Sequence, residues 1–208
     1  MAINPCGSRI TTLTSIYASA DLSPTAGPAY STALSKAQSW GGDAYGLANS
    51  ICDSIFGGSF ANSQAIAQAN GGPAQAQSNA DAKSAFGPAS ATNQAAAFGQ
   101  GAAIGQGSAN AATGAGPADA KSTTVAVQNG AGGIAAATDK ATAVSGNGPA
   151  RAQSEAAALN AGSGPALAQS QSAAAGNGPT AANSKSTAVS QNGPAVATSS
   201  ASSVSSGK

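Results

Sequence analysis

Residues 72–86 read GPAQAQSNADAKSAF, and two features of that stretch decide the fold. Small residues stand at every second position, Ala74, Ala76, Ser78, Ala80, Ala82 and Ser84, with polar Gln75, Gln77, Asn79, Asp81 and Lys83 between them. Successive side chains of a strand point to opposite faces, so this alternation predicts a β-strand with one face made of alanine and serine. Alanine has a high helix propensity. The pattern has no 3.6-residue period, however, and Gly and Pro recurring about every fifteen residues limit any helix to about three turns. The alternation returns at residues 150–156 (ARAQSEA) and 166–172 (ALAQSQS).

The Gly-Pro is the second feature. Gly-Pro or a Gly-Gly substitute recurs along most of the chain, marked by Gly27, Gly42, Gly57, Gly72, Gly87, Gly101, Gly116, Gly132, Gly148, Gly164, Gly178 and Gly193, at gaps of 14 to 16 residues. A fixed period of this kind is the signature of a repeat architecture. Asn147-Gly148-Pro149, Asn177-Gly178-Pro179 and Asn192-Gly193-Pro194 are turn chemistry, because Asn and Gly accept positive φ and Pro fixes the exit. Two all-β folds fit. Each unit winds once as two short strands with a corner near the recurring serine, giving a flattened β-solenoid of about 15-residue coils with an Ala/Ser core; or each forms one longer strand of an antiparallel β-meander. The constant phase of the small residues and the recurrence of Ser78, Ser122, Ser154, Ser170, Ser184 and Ser199 favour the solenoid. Buried serines need hydrogen-bond partners, which a corner would supply.

Composition excludes an ordinary core. The 41% of hydrophobic residues is carried mainly by alanine, with only 4% aromatic and 7% charged residues. Alanine yields little transfer energy, about 0.8 kcal/mol per methyl-sized group, but loses no rotamer freedom on burial, so two such faces form a thin, dry core. A net charge of +1 leaves no basic patch for nucleic acid. No run approaches the roughly 18 apolar residues of a membrane helix.

Residues 1–56 differ in kind. Tyr17, Tyr30, Trp40, Tyr45 and Phe56, with Ile10, Leu13, Leu34, Leu47 and Ile51, hold most of the large apolar groups, and this region reads as an N-terminal cap, partly helical over residues 35–55. Cys6 and Cys52 both lie in it, and an even pair flanking one segment reads as a disulfide of a secreted, extracellular protein. The repeat array then runs over residues 57–198, and residues 199–208 form a Ser/Gly-rich tail or polar closing edge.

The chain has no histidine, which removes the commonest general base and metal ligand. Its acids are scattered, and the pairs Asp81/Lys83 and Asp119/Lys121 read as charge compensation on a solvated face. No catalytic or metal site and no cofactor is expected, and the chain is not read as an enzyme. Counting from each marker glycine, the tenth and twelfth positions are small and apolar. They offer a contact surface of Ala96, Ala112, Val125, Val127, Thr142, Ala157, Leu159, Ala173, Ala175, Thr187, Val189 and Val204, interrupted by Asp81/Lys83 and Lys140.

On these residues two architectural resemblances can be stated. The Gly/Asn turns with Ala/Ser alternation over residues 57–199 resemble the cross-β repeats of insect egg-stalk silks and other small-residue fibre proteins. The period and near neutrality are similar to those of insect β-solenoid antifreeze proteins, including the fifteen-residue-per-coil kind, although the matched Thr-x-Thr ranks of those proteins survive here only as fragments at Thr142 and Thr187. The first resemblance implies a structural, self-assembling protein whose partner is itself. The second implies an ice surface as partner, and a stalk or spacer is a third expectation.

Overall fold

A computed structural model describes residues 12–22, 29–40, 43–130 and 133–206. These form thirteen strands: β1 (Thr12–Leu22), β2 (Ala29–Trp40), β3 (Ala44–Phe56), β4 (Ser59–Asn70), β5 (Ala74–Phe86), β6 (Ala89–Gly99), β7 (Ala103–Ala115), β8 (Ala118–Gln128), β9 (Ala135–Ser145), β10 (Ala150–Asn160), β11 (Ala166–Gly176), β12 (Thr180–Ser190) and β13 (Ala195–Ser205). Odd strands make one seven-stranded sheet and even strands a six-stranded one, each in sequence order. Every pairing is parallel and in register, as in Ala44↔Ala74 and Ala89↔Ala118. This is the expected all-β solenoid, and the antiparallel meander is excluded.

The fifteen-residue unit contributes one strand and one turn. It is not the two short strands with a corner at the serine that the recurrence suggested. Two successive units therefore close one coil, and Ala74 pairs with Ala103, 29 residues on. The physical reason is that the serine position carries no Pro and lies mid-strand, facing inward, even where Gly107 replaces the serine. The chain can reverse only at the marker glycines. There Gly116 adopts φ +128°, and a Cβ on it would lie 2.6 Å from the Gly87 carbonyl oxygen of the preceding coil.

The expected helix over residues 35–55 is also corrected. Those residues belong to β2 and β3, where Ser31, Ala33, Ser35, Ala37 and Ser39 are buried and Tyr30, Thr32, Leu34, Lys36 and Gln38 are exposed. The period of two overrides alanine's helix propensity because each inward Ala meets a facing sheet. Leu34 and Leu47 consequently face water rather than the interior. At the other end, β13 extends strand pairing to Ser205.

The interior has three lanes. One alanine cluster, including Ala48, Ala76, Ala97 and Ala126, lies to one side, and a second, including Ala82, Ala91, Ala120 and Ala143, lies to the other. Between them runs a polar seam built by the recurring serines. Ser78 donates to Ser63 across the sheets at 2.9 Å, while Ser50 donates to Ser31 at 3.0 Å within the second lane, in register with Ala80 and Ala61. Ser154 bonds Ser170, whose hydroxyl also reaches the Ser154 carbonyl at 2.9 Å. Two serine side chains that meet between facing sheets bring the backbones closer than the usual spacing of about 10 Å. A second set of hydroxyls tightens the turns: Ser84, Thr113 and Ser145 donate to the carbonyls of Gly57, Gly87 and Gly116 at 2.8, 2.7 and 2.7 Å.

The seam makes a testable pair. Ser78→Ala alone leaves the Ser63 hydroxyl buried without its partner and is expected to cost about 1–2 kcal/mol, whereas Ser63→Ala/Ser78→Ala together should lie closer to wild type. Urea denaturation of the three variants measures this, and strictly additive losses would contradict the pairing.

Cys52 faces the second alanine lane as a wholly buried free thiol, and its expected partner Cys6 lies outside the described residues. Cys52 is expected to resist maleimide in native buffer for hours and to react within minutes in guanidinium chloride. Mass mapping of the alkylated peptide reads the difference, and rapid native labelling would show that this face opens.

Candidate functional site

Outward side chains stand in columns along both sheets, one residue per strand. The turns are only two to six residues long, so successive strands run in opposite directions across the stack. This divides the twelve residues expected to form one contact surface. Ala96, Val125, Val127, Ala157, Leu159, Thr187 and Val189 lie on the even sheet, while Ala112, Thr142, Ala173, Ala175 and Val204 lie on the odd sheet. All twelve face outward, exposed or half-buried. They form two groups on opposite faces and opposite edges of the solenoid.

The even-sheet group is contiguous. Register places Ile66, Ala96, Val125, Ala157 and Thr187 in one column and Gln68, Phe98, Val127, Leu159 and Val189 in the next. Phe98, Leu159 and Val189 are 38%, 40% and 48% exposed. A shallow groove of about 260 Å³ lies beside them, lined by Gln64, Ile66, Gln94, Ala96, Thr123 and Val125.

The same edge continues onto the odd sheet through Ile104, Ala136, Leu167 and Val196, the first outward residues of β7, β9, β11 and β13. From β6 onward no charged residue stands in these columns or in the turns that join them. Sequence reasoning missed Ile66, which occupies a counted position as Phe98 does, and Leu167 and Val196, which belong to a different position of the next unit. Only coiling brings the end of one unit beside the start of the next. Val144, beside Ala112 and Ala175, was missed because the longer turn of residues 129–134 shifts the count.

The charged pairs occupy columns other than this ridge, whereas Lys36 of β2 stands in the Ile66 column. Asp81 and Lys83 pair at 3.4 Å on the odd sheet, and Glu155 pairs with Lys185 at 3.4 Å on the even one. The first pair is the surface compensation the sequence suggested.

One acid behaves otherwise. Asp139 stands in the inward phase of β9 at the serine position and is buried in the seam. Desolvation pushes its pKa up to about 6, against the opposing pull of hydrogen bonds from the Ser122 and Thr124 hydroxyls and the Glu155 and Lys140 amides. Thr124 Oγ1 donates at 3.0 Å and the Glu155 amide at 2.9 Å. Asn93 joins through its amide nitrogen, which donates to Ser122 Oγ at 2.9 Å. The signal was present in residues 135–143, AAATDKATA, where Asp139 takes the small-residue phase.

This single carboxylate, enclosed on both sides by alanine, has its hydrogen bonds satisfied inside the core rather than presented at a surface. Among the described residues no three His, Cys, Asp or Glu side chains come together as a metal site. A groove of about 290 Å³ at the opposite edge is lined by Pro117, Pro149 and Pro179 with Asp119 and Arg151. Comparison with family models, curated proteins and solved structures finds no match for this chain.

Proposed function

We propose that this chain is a non-enzymatic structural protein of an extracellular material, which associates with further copies of itself. The observation that carries the reading is like-on-like stacking along the solenoid. Gln68 accepts from Gln38 at 3.1 Å, Gln94 from Gln64 at 3.3 Å and Asn49 from Asn79 at 3.4 Å, while Tyr30 and Phe60 stack with centroids 5.0 Å apart. Side-chain ladders of this kind are the cohesive element of cross-β materials, and a chain that coheres with itself coil by coil carries surfaces suited to cohesion between chains. Extracellular placement is part of the proposal and rests on the near-neutral, alanine- and serine-rich composition. The test is time-resolved light scattering and electron microscopy of the purified chain at millimolar concentration. Ordered assemblies are expected, and a chain that stays monodisperse for weeks would overturn the reading.

A second reading, ice binding, is favoured by the rank order of the uncharged outward residues at the strand spacing of about 4.8 Å. It predicts faceted ice crystals and a freezing gap from the monomer, lost on Val127→Lys or Thr187→Lys. Round, freely growing crystals would retire it.

A further inference from the structure

We propose that the uncharged apolar ridge of the even sheet is a self-recognition surface, on which a second copy of this chain docks about a two-fold axis parallel to the solenoid axis. The inference rests on the self-association reading and names the face of its first, pairwise step.

The two columns of the ridge differ in size most in two strands. In β6 small Ala96 precedes large Phe98, and in β10 small Ala157 precedes large Leu159. In β12 the order is Thr187 then Val189. A two-fold axis along the stack reverses strand direction but preserves strand order, so each strand faces its own copy. With the axis between the two columns, Phe98 of one chain lies over Ala96 of the other and Leu159 over Ala157. Large side chains thus seat on small ones in β6 and β10, Val125 meets the equal-sized Val127 in β8 and Ile66 meets Gln68 in β4, and the groove beside Ala96 receives the partner's aromatic ring. An axis along the strands would instead set the large column against itself.

The charges agree with this placement. Asp119, Lys121, Arg151, Glu155 and Lys185 stand in the first three outward columns. They fall outside the overlap, and Lys36, which shares the Ile66 column, stands on β2 beyond the β4 to β12 footprint, so no charge is desolvated. The contact is isologous and closes at two chains. Its footprint over β4 to β12 is roughly 24 by 15 Å from the strand spacing and rise, about 350 Å² per chain, well under the roughly 800 Å² of a stable interface. The pair is therefore weak, forming at high micromolar concentration.

Sedimentation velocity of the full chain from about 10 μM to 1 mM tests this. Wild type should shift from monomer to dimer within the range, and Leu159→Lys should weaken pairing at least tenfold. Val144→Lys, an equally drastic change on the other sheet, should leave it within twofold. Ala157→Leu and Leu159→Ala should each weaken pairing, and the double exchange should restore it, because the two-fold again sets large on small. That rescue separates the docking geometry from any general effect on folding.

A chain monomeric throughout, a double exchange no better than either single one, or a dimer indifferent to Leu159→Lys would overturn the proposal. If assemblies form but ignore the ridge variants, the docking face is wrong while the self-association reading survives. If no assemblies form and Leu159→Lys abolishes ice shaping by the monomer, the ridge meets ice instead of a second copy.

Discussion

Gly107→Ala is expected to destabilise the fold by about 3–5 kcal/mol, a fall in melting temperature on the order of 10 °C for a chain of this length. An added Cβ would lie 2.6 Å from both Asn93 Nδ2 and Asp139 Oδ1, and closer still to Thr124 Oγ1. None of these atoms can yield freely. Asn93 is tied to Ser122 on the neighbouring even strand, and Thr124 is tied to Asp139 across the core. Gly107 stands at the position that is serine in β5 and β11. Its missing side chain makes room for the larger Asn93 and Asp139 around it. Gly58→Ala provides the contrast, since its Cβ would meet only the rim of the Phe60 ring and the Pro88 ring, which can shift; its expected cost is about 1 kcal/mol or less. Thermal unfolding followed by circular dichroism compares the two. A Gly107→Ala variant that melts within about 2 °C of wild type would contradict the crowding described for the seam.

Asp139 carries the second large effect. Its folded pKa of about 6 lies above the unfolded value near 3.8, so between these limits the folded chain binds the extra proton. Stability therefore falls as pH rises from about 4 to about 6, and the whole difference is on the order of 3 kcal/mol. Asp139→Asn keeps an oxygen to accept from Ser122 and Thr124 and carries no charge to desolvate, but its amide nitrogen faces the Glu155 N–H and loses that bond. It is expected to lie about 1–2 kcal/mol below wild type near pH 4, to draw level with or pass it at pH 7, and to remove this part of the pH slope. Urea titrations at pH 4, 5, 6 and 7 on both proteins measure the difference between the curves. Parallel curves would show that Asp139 is hydrated rather than enclosed.

The two effects share one cause. In the seam between the alanine lanes, polar side chains meet across the sheets in successive coils, and each meeting has room for small groups. Serine fits there with one hydroxyl. Where β6 and β9 introduce Asn93 and Asp139, a facing position must shrink, and Gly107 is that position. Such compensation between units invites double replacement. Asn93→Ser with Asp139→Ser should make Gly107→Ser tolerable, restoring the pattern of the other coils.

The alternation of residues 72–86, the Gly-Pro period and the poverty of charge were enough to determine a strand repeat with an Ala/Ser core, because strand periodicity and turn chemistry are local properties. They were also enough to mark Val127, Leu159 and Val189 as outward and apolar. Coil size was not legible. Whether a fifteen-residue unit turns once or half-way depends on where the small face finds its partner, and two short strands or one long strand bury the same residues. The helix expected over residues 35–55 failed for a related reason, since alanine's propensity is decided by whether a facing sheet exists. Only the tertiary structure placed the serines in a central seam, turned Asp139 inward, and split twelve similar positions between two faces. Successive units alternate between sheets and reverse direction, so neighbours in sequence position become opposites in space. Residues from different positions, Leu159 and Leu167 among them, meet along one edge because a coil joins the end of each strand to the beginning of the next.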